Sequence, residues 1–364
     1  MASLRPLTKM ALPALMLMPG LAAAQDANGP EVEFYGQFNI GVLSVDDGPN
    51  TNTTITDNDN SNSRFGLVIK QGLNNGDEVR FHFETAIGLT GSSSISGSNN
   101  SFDFDYTRTE LRKFELIYNS KRIGKFSFGQ GSIATDGTAE ADFSGTSVIA
   151  YSSINDQAGS QVFRLSDGVL SGVSVGSAFS ALDGSRRFRA RYDTPNFNGL
   201  SLGFSAGTEV LARGVNGEFY DIGLTYDKDF GDVKLAGRLG YSFRDSDEEF
   251  LLGSTSVLHK PTGLSLTVAA GQEQIDDGEY AYIKAGFQRD FFSVGRTHLS
   301  ADYYEGNDFA FAGSDSSSFG VAVVQNIDNA NLELYASYRT FELDGDSRNF
   351  NDLDVTFVGA RFKF

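Results

Sequence analysis

Residues 353–364 read LDVTFVGARFKF, and the side chains in this stretch alternate in character. Val358, Ala360, Phe362 and Phe364 would share one face of an extended strand, while the basic residues near the end lie on the other face. Soluble proteins rarely end in an aromatic strand, because terminal residues usually fray and gain little from apolar side chains. A membrane barrel has a use for such a strand, since its last strand must pair with its first to leave no open edge. The stretch therefore predicts a transmembrane β-barrel of the bacterial outer membrane.

The first 24 residues have the pattern of a secretory signal. Arg5 and Lys9 form a basic region, residues 10–21 an apolar region, and residues 22–24 a small-residue cleavage site. We expect residues 1–24 to be a cleaved signal peptide and residues 25–364 to form a single barrel domain. No later window approaches the ~20 apolar residues of a membrane-spanning helix, so an exported membrane protein of this sequence would cross the bilayer with strands.

The composition agrees with this expectation. Forty-one glycines, seven prolines, 31 Phe and 14 Tyr suit strands, tight turns and aromatic girdles. The absence of cysteine excludes both a disulfide scaffold and thiolate chemistry. The net charge of −18 disfavours nucleic acid as a partner.

Acidic residues cluster in the predicted loops, near residues 46–59, 245–249 and 276–279. The simplest interpretation is that these are solvated loop tips. The alternative is that a divalent cation such as calcium bridges the loop acids and lipopolysaccharide phosphates. Residues 57–59 begin like a calcium loop, but the central glycine and the closing glutamate are missing, and no other cofactor is predicted.

Alternating segments of about ten residues follow one another along the chain, each ended by Gly, Asn, Asp or Pro. Full charges on the polar faces favour a barrel with a water-filled interior over a soluble sandwich, and so do aromatic residues near the turns. Residues 162–182 would add a hairpin and give eighteen strands, but sixteen is the preferred count. The sixteen antiparallel strands are predicted near residues 32–45, 63–72, 77–90, 107–118, 124–131, 186–195, 199–208, 218–230, 233–244, 249–261, 263–274, 279–291, 297–307, 317–327, 331–342 and 351–364.

The connection from residue 131 to residue 185 is far longer than the others and contains several acids. Structureless loops of this length are uncommon unless they have a function. The strand that follows places Arg187, Arg189 and Arg191 on one face, and each would cost ~2–4 kcal/mol in lipid, so that face should line the lumen. Arg112 has lipid-facing parity unless a bulge or a position at the rim relieves it. On earlier strands, lumen parity is predicted for Arg64, Lys70, Arg80 and Lys113.

Several segments together resemble the trimeric general porins of Gram-negative bacteria, especially the alphaproteobacterial branch. They are VEFYGQF at residues 32–38, GKFSFGQ at 124–130, RYDTP at 191–195 and the terminal Phe364. The resemblance implies that the third loop, about residues 131–185, folds into the barrel and forms a constriction. It also implies a homotrimer with subunit contacts near residues 32–42 and 357–364. Two departures are the unusual loop length and Gln130, where family members often have arginine. The implied acidic side of the constriction is Asp136, Glu140 and Asp142, and the implied basic side is Arg187, Arg189, Arg191, Arg64 and Arg80.

The resulting expectation is a passive diffusion channel for small hydrophilic solutes and ions, with outer-membrane lipid and lipopolysaccharide as its surroundings. Opposed carboxylates and guanidiniums across a narrow aqueous gap would order water and discourage apolar solutes. The alternatives are a channel selective for sugar, phosphate or dicarboxylate, and a structural or adhesive surface barrel. No enzyme is expected. Residues 172–176 match the G-x-S-x-G pattern, but a hydrolase would also need one of the three histidines in place.

Overall fold

The computed structural model describes residues 29–214, 217–244, 248–275, 277–345 and 348–364. The predicted signal peptide therefore lies outside the described residues. Within these ranges, no helix is both long enough and apolar enough to cross a membrane.

Nineteen strands and one short helix account for most of the described chain. Strands β1 to β10 are Glu31–Asp46, Thr51–Asp57, Arg64–Gly72, Glu78–Ala86, Leu111–Ser120, Gly124–Ser132, Val162–Arg164, Leu170–Ser174, Arg186–Asp193 and Leu200–Thr208. Strands β11 to β19 are Glu218–Asp229, Val233–Arg244, Glu248–His259, Leu264–Glu273, Glu279–Phe292, Gly295–Asn307, Asp315–Ile327, Leu332–Asp344 and Leu353–Lys363. Helix α1 is Val175–Ala178, and 3-10 turns lie at Asp59–Ser61, Ser92–Ser94, Arg108–Glu110, Ile154–Gln157 and Asp328–Ala330.

The strands close into one antiparallel barrel. Strand β1 pairs with β19 from Gln37–Lys363 to Asp46–Asp354, and this seam leaves no open edge. Both β2 and β3 pair with β1, one along its second half and the other along its first half, so together they form a single interrupted strand. Strand β6 pairs directly with β9 across the long connection. The predicted all-β fold and the sixteen-strand count are confirmed, and the break at residues 58–63 accounts for the extra strand of the sheet.

Strands β7 and β8 pair only with each other within the described chain. They form a small hairpin inside the long connection. The segment 162–182 therefore contains the hairpin that would have given eighteen strands, but this hairpin does not enter the barrel wall.

The last strand shows how the two faces of the wall are used. Val358, Phe362 and Phe364 are about half exposed on the outer face, as a lipid-facing band requires. Val355 and Phe357, on the inner face, are fully buried. This inner face is apolar because the long connection, residues 133–185, folds into the barrel and packs against it. The shared core includes Ile149, Phe163, Phe179, Phe341, Leu343, Leu353 and Phe357.

Candidate functional site

The inward-folded connection, called the loop from here on, is held against the wall by hydrogen bonds to inward-pointing polar side chains. Backbone amides of the loop donate hydrogen bonds to serine hydroxyls that point inward from β10 and β13. These short polar side chains give loop amides hydrogen-bond partners where the loop runs along the wall. The sequence signal for this arrangement is a serine at lumen parity on these strands. The contacts are Ala134 to Ser205 at 2.8 Å, Ala141 to Ser254 at 2.9 Å and Phe143 to Ser256 at 3.0 Å.

The loop approaches β16 so closely that only glycine fits at residue 145. Gly145 has a φ of +80°, and a Cβ atom there would overlap the ring of His298. His298 lies 3.2 Å from the carbonyl oxygen of Ser144 through its Nδ1. The backbone conformation and the steric fit therefore both require glycine at this contact.

Between the loop and the opposite wall lies a polar cavity of about 730 Å³. The interruption between β2 and β3 turns residues 59–62 inward, so this break narrows the space from the wall side. The cavity contains both signs of charge, which is the arrangement that the sequence predicts for a constriction. Its basic lining residues are Arg64, Arg112, Arg186 and Arg244, and its acidic ones are Asp59, Asp136, Glu140, Asp156, Asp183, Glu248 and Glu273.

On the wall side, one carboxylate is shared by three cations. Glu84 accepts a hydrogen bond from Arg112 at 2.7 Å and lies 3.7 Å from Arg64 and 4.0 Å from Lys113. Three positive charges around one negative charge leave this cluster with a net charge of +2. The wall here is therefore positively charged as well as polar.

Arg112 reaches the cavity because of a bulge. In the β4–β5 ladder Glu84 pairs with Lys113, and the next pair joins Thr85 to Leu111, so Arg112 is the extra residue. A bulge redirects the side chain of the extra residue. Strict alternation places Arg112 on the lipid face unless a bulge intervenes, and the structure shows such a bulge.

Arg186 is a lining residue that the sequence reasoning missed. Alternation from Arg187 places Arg186 on the outer face, but it is the first residue of β9, where the loop enters the wall. Its side chain lines the cavity, and no ion pair to it occurs within the described ranges. We call Arg64, Arg112 and Arg186 the basic wall.

Three carboxyl groups lie together on the loop side, and we call Asp136, Glu140 and Asp183 the acidic face. Asp183 accepts hydrogen bonds from the amides of Gly137 at 2.7 Å and Ala139 at 2.8 Å, which fixes the turn that carries the other two. Burial, with the charge of Asp136 beside it, raises the pKa of Glu140 to about 7. Burial and the neighbouring Glu140 raise the pKa of Asp183 well above its ordinary value.

Asp156 lies beside the same cavity. Burial raises its pKa to about 7, although Tyr151 donates a hydrogen bond to it. Two lining carboxyl groups, those of Glu140 and Asp156, therefore change charge near neutral pH.

The predicted constriction residues fall into two groups. Asp136, Glu140 and Arg64 line the cavity, and Arg187 lines a smaller adjoining space. The guanidinium of Arg187 lies 4.3 Å from the ring centre of Phe219 and 3.4 Å from Glu209.

The other predicted residues lie in ion pairs away from the cavity lining. Arg189 is 3% exposed, donates to Glu115 at 2.5 Å and also bonds the carbonyls of Gly129 and Ser132. Arg191 bonds Asp193 and the carbonyls of Ser132 and Ile133, so it holds the start of the loop. The remaining pairs are Arg80 with Glu78 at the beginning of β4 and Asp142 with Lys284 on β15.

The remaining sequence motifs have local structural roles. The Ser174 hydroxyl accepts a hydrogen bond from the amide of Ser177 and caps helix α1. His82 contacts Tyr35, and His298 contacts the loop backbone, so both are engaged elsewhere. Across the described ranges, no group of three or more His, Cys, Asp or Glu residues is arranged to hold a metal ion.

Comparisons with known proteins agree with this architecture. The model of the Gram-negative porin family matches residues 11–346. The anion-selective porin from Comamonas acidovorans is 16% identical, with a TM-score of 0.58 and coverage of 92% of this chain and 100% of that chain. OprB of Pseudomonas putida is 9% identical, with a TM-score of 0.62 and coverage of 92% and 94%.

The trimer form of in-vitro folded OmpT from Vibrio cholerae is 14% identical, with a TM-score of 0.55 and coverage of 92% and 99%. At these identities the solved structures show the fold alone. No curated protein matches the sequence. The family match and the closed barrel together indicate an outer-membrane diffusion channel rather than an enzyme, and the chain belongs to the Gram-negative porin family.

Proposed function

We propose that the cavity between the acidic face and the basic wall is the constriction that sets size and charge selectivity for small hydrophilic solutes and ions. The observation that carries the proposal is the placement of opposite charges on facing surfaces of one cavity. The loop limits the size of the solute, and the facing charges act on its dipole and on the water around it. The proposal assigns no catalytic residue and no cofactor.

The facing charges would produce a field across the pore. Fixed charges in a narrow aqueous space focus their field, because the surrounding protein has a low dielectric constant. Such a field orders water and orients dipolar solutes, whereas an apolar solute cannot replace the ordered water. Arginine suits the wall because its charge persists at every relevant pH.

We infer a weak preference for anions at neutral pH. The basic wall contributes three guanidiniums, and Glu84 is the carboxylate with which two of them interact. On the acidic face, the raised pKa values of Glu140 and Asp183 reduce the negative charge near pH 7. Positive charge therefore exceeds negative charge between the basic wall and the acidic face, although the other lining acids, Asp59, Asp156, Glu248 and Glu273, oppose it and the whole chain is acidic.

Replacing Arg112 and Arg186 together with Gln tests this assignment. We expect the double variant to change the anion-to-cation permeability ratio several-fold toward cations in planar bilayers under a salt gradient. Arg296→Gln is the matched control, because Arg296 is exposed and pairs with Asp290 near a strand end. An unchanged reversal potential in the double variant would refute the basic wall as the selective surface. A conductance that one solute blocks would instead identify a channel selective for that solute.

We further propose that the protein forms a homotrimer, as the Vibrio cholerae OmpT structure does in its trimer form. The outer face of β1 carries large exposed apolar side chains, among them Phe34 and Phe38. An apolar surface of this kind suits contact with lipid or with another subunit. Mass measurement of the detergent complex checks the trimer, and Phe34→Ser with Phe38→Ser should weaken it if β1 forms the contact.

A further inference from the structure

The outer surface of the barrel carries an apolar groove of about 600 Å³ across β5, β6, β9 and β10. Its floor is formed where Ala190 pairs with Ala206, two small side chains next to each other on neighbouring strands. Phe128 pairs with Ala190 on the other side and is 60% exposed. A pair of alanines between large aromatic residues makes a depression in a surface that otherwise faces lipid with bulky side chains.

An aromatic row borders the groove on the side of the short β5–β6 turn. Tyr118 pairs with Phe126, and Phe126 pairs with Tyr192, whose ring centre lies 4.8 Å from that of Phe126. The hydroxyl of Tyr192 donates to the carbonyl of Ile123 at 3.1 Å, which ties the row directly to the turn. Aromatic rows of this kind mark the level of the lipid headgroups.

The turn itself is basic and open. Lys121 and Arg122 are exposed, and neither forms an ion pair within the described ranges. Asp77, on the preceding turn, interacts electrostatically with Arg122, but its carboxylate accepts hydrogen bonds from Tyr118 and Asn75. Two available cations are therefore placed at the headgroup level directly beside the groove.

Several basic residues near strand ends differ in this respect. Lys125 pairs with Asp193 at 3.1 Å, and Lys260 pairs with Asp229 at 3.0 Å. Arg296 pairs with Asp290 at 2.9 Å. The β5–β6 turn thus offers available positive charge in a chain whose net charge is −18.

Short turns of outer-membrane barrels lie on the periplasmic side, which places the β5–β6 turn there. We propose that the groove and the turn bind one anionic phospholipid of the periplasmic leaflet. Its phosphate would lie against Lys121 and Arg122, and one acyl chain would cross the Ala190–Ala206 floor. Gly124 and Phe128 are four residues apart, so the floor begins roughly 14 Å along the strand from the turn. A phospholipid has its charged phosphate at one end and its apolar chains beyond it, which matches a basic turn followed by an apolar groove. A soluble anion would bind the turn but leave the groove empty.

Adjacent basic residues at the membrane surface attract anionic lipids, and each contributes a similar electrostatic term. The groove adds the second recognition element, because it accepts a chain that a flat aromatic surface would exclude. A second copy of the protein is the competing occupant. The expected subunit contact near residues 32–42 lies on β1, however, and β3 and β4 separate that strand from β5.

The test uses the whole exported protein, purified in detergent and examined by native mass spectrometry after addition of phosphatidylglycerol or phosphatidylcholine. We expect retention of phosphatidylglycerol to exceed that of phosphatidylcholine, and Lys121→Gln with Arg122→Gln to reduce retention of phosphatidylglycerol by about tenfold. Ala206→Phe should reduce retention of both lipids, because it fills the floor. Lys260→Gln is the matched control, since it removes a paired charge from another turn.

Equal retention of the two lipids by the unsubstituted protein would overturn the proposal, as would unchanged retention in the turn variant. Loss of the oligomer in Ala206→Phe with unchanged lipid retention would assign the groove to a second copy and also overturn it. The residues replaced in the turn variant are exposed, so their substitution should leave the folding of the barrel wall unchanged. Bilayer conductance of the same variants separates this result from the proposed constriction, since the groove lies outside the pore.

Discussion

Two arginines of strand β9, three residues apart, differ in whether their charge is paired. Arg186 lines the cavity and has no ion-pair partner among the described residues. Arg189 is 3% exposed and bonds Glu115 at 2.5 Å. The first charge is available to a passing ion, whereas the field of the second largely cancels with that of its partner. The number of arginines in a lumen wall therefore does not measure the strength of its field.

The same contrast separates two carboxylates of the loop, those of Glu140 and Asp142. Glu140 lines the cavity, while Asp142 is buried and bonds Lys284 at 2.7 Å. Lys284 also donates to the carbonyl of Ala150 at 2.6 Å, so this pair joins the loop to β15. One set of charges lines the cavity, and the other fastens the loop that borders it.

The largest expected effect comes from removing a fastening charge. Arg189→Ala would leave Glu115 buried without its guanidinium and free two carbonyls on the last part of β6. We expect a loss of about 3–5 kcal/mol in the free energy of unfolding. Urea titration in lipid vesicles, followed by the mobility of the folded barrel on gels, measures it.

Arg238→Ala is the control, because Arg238 pairs with Asp227, whose side chain is about half exposed. An exposed pair of this kind contributes about 0–1 kcal/mol. If Arg189→Ala left stability intact but moved the reversal potential as far as the double variant in Arg112 and Arg186, the distinction between the two classes of charge would fail.

A smaller effect is expected from Lys284→Met. The variant leaves Asp142 buried without its cation, so the loop should detach locally and single-channel recordings should show added closures. Removing both charges, in Asp142→Asn with Lys284→Met, should restore part of the stability, because an unpaired buried charge costs more than a missing pair. Equal behaviour of the single and double variants would show that the pair does not fasten the loop.

The smallest effect is a dependence of ion preference on pH. The pKa values of Glu140 and Asp156 are about 7, so both groups are mainly neutral at pH 5.5 and ionised at pH 8.5. Raising the pH adds negative charge beside the cavity and should move the reversal potential toward cations, less than the arginine variants do. Glu140→Gln should remove part of this change, and an identical pH profile in that variant would contradict the assignment.

The same raised pKa values determine how the stability of the folded protein changes with pH. A carboxyl group that is neutral in the folded protein stabilises it most at low pH. That contribution decreases as the pH rises from the ordinary value of about 4.3 for Glu toward the folded value of about 7.

Alternation in the sequence was sufficient to predict the barrel and its sixteen strands, whereas the inward fold of the loop was predicted from the resemblance to porins. Alternation also gave Arg64 lumen parity, because side-chain parity along a regular strand fixes the face, and Arg64 lines the cavity. The resemblance to porins, and not alternation, suggested Asp136 and Glu140, which line the same cavity. Parity fails where the strand is irregular. Arg112 enters the lumen through a bulge and Arg186 through the junction of loop and strand, and neither irregularity has a marker in the local sequence.

Pairing is the second property that the sequence did not supply. Arg189 and Glu115 are 74 positions apart, and Asp142 and Lys284 are 142 positions apart. Parity predicts that these side chains point inward, but only the three-dimensional register shows which of them meet. The assignment of Arg189 and Arg191 to the constriction rested on their direction and on the resemblance to porins, and that of Asp142 rested on the resemblance alone.

The seam between β1 and β19 has a consequence for biogenesis. It joins Gln37 to Lys363, so the earliest and latest strands of the described chain must find each other before the wall is complete. Until then the intermediate exposes two rows of unsatisfied backbone donors and acceptors, and such edges recruit other chains. Long-range pairing is also slow. Aggregation is therefore most favoured while the unfolded chain crosses the periplasm. A chaperone that binds the unpaired strand edges would contribute most at that stage.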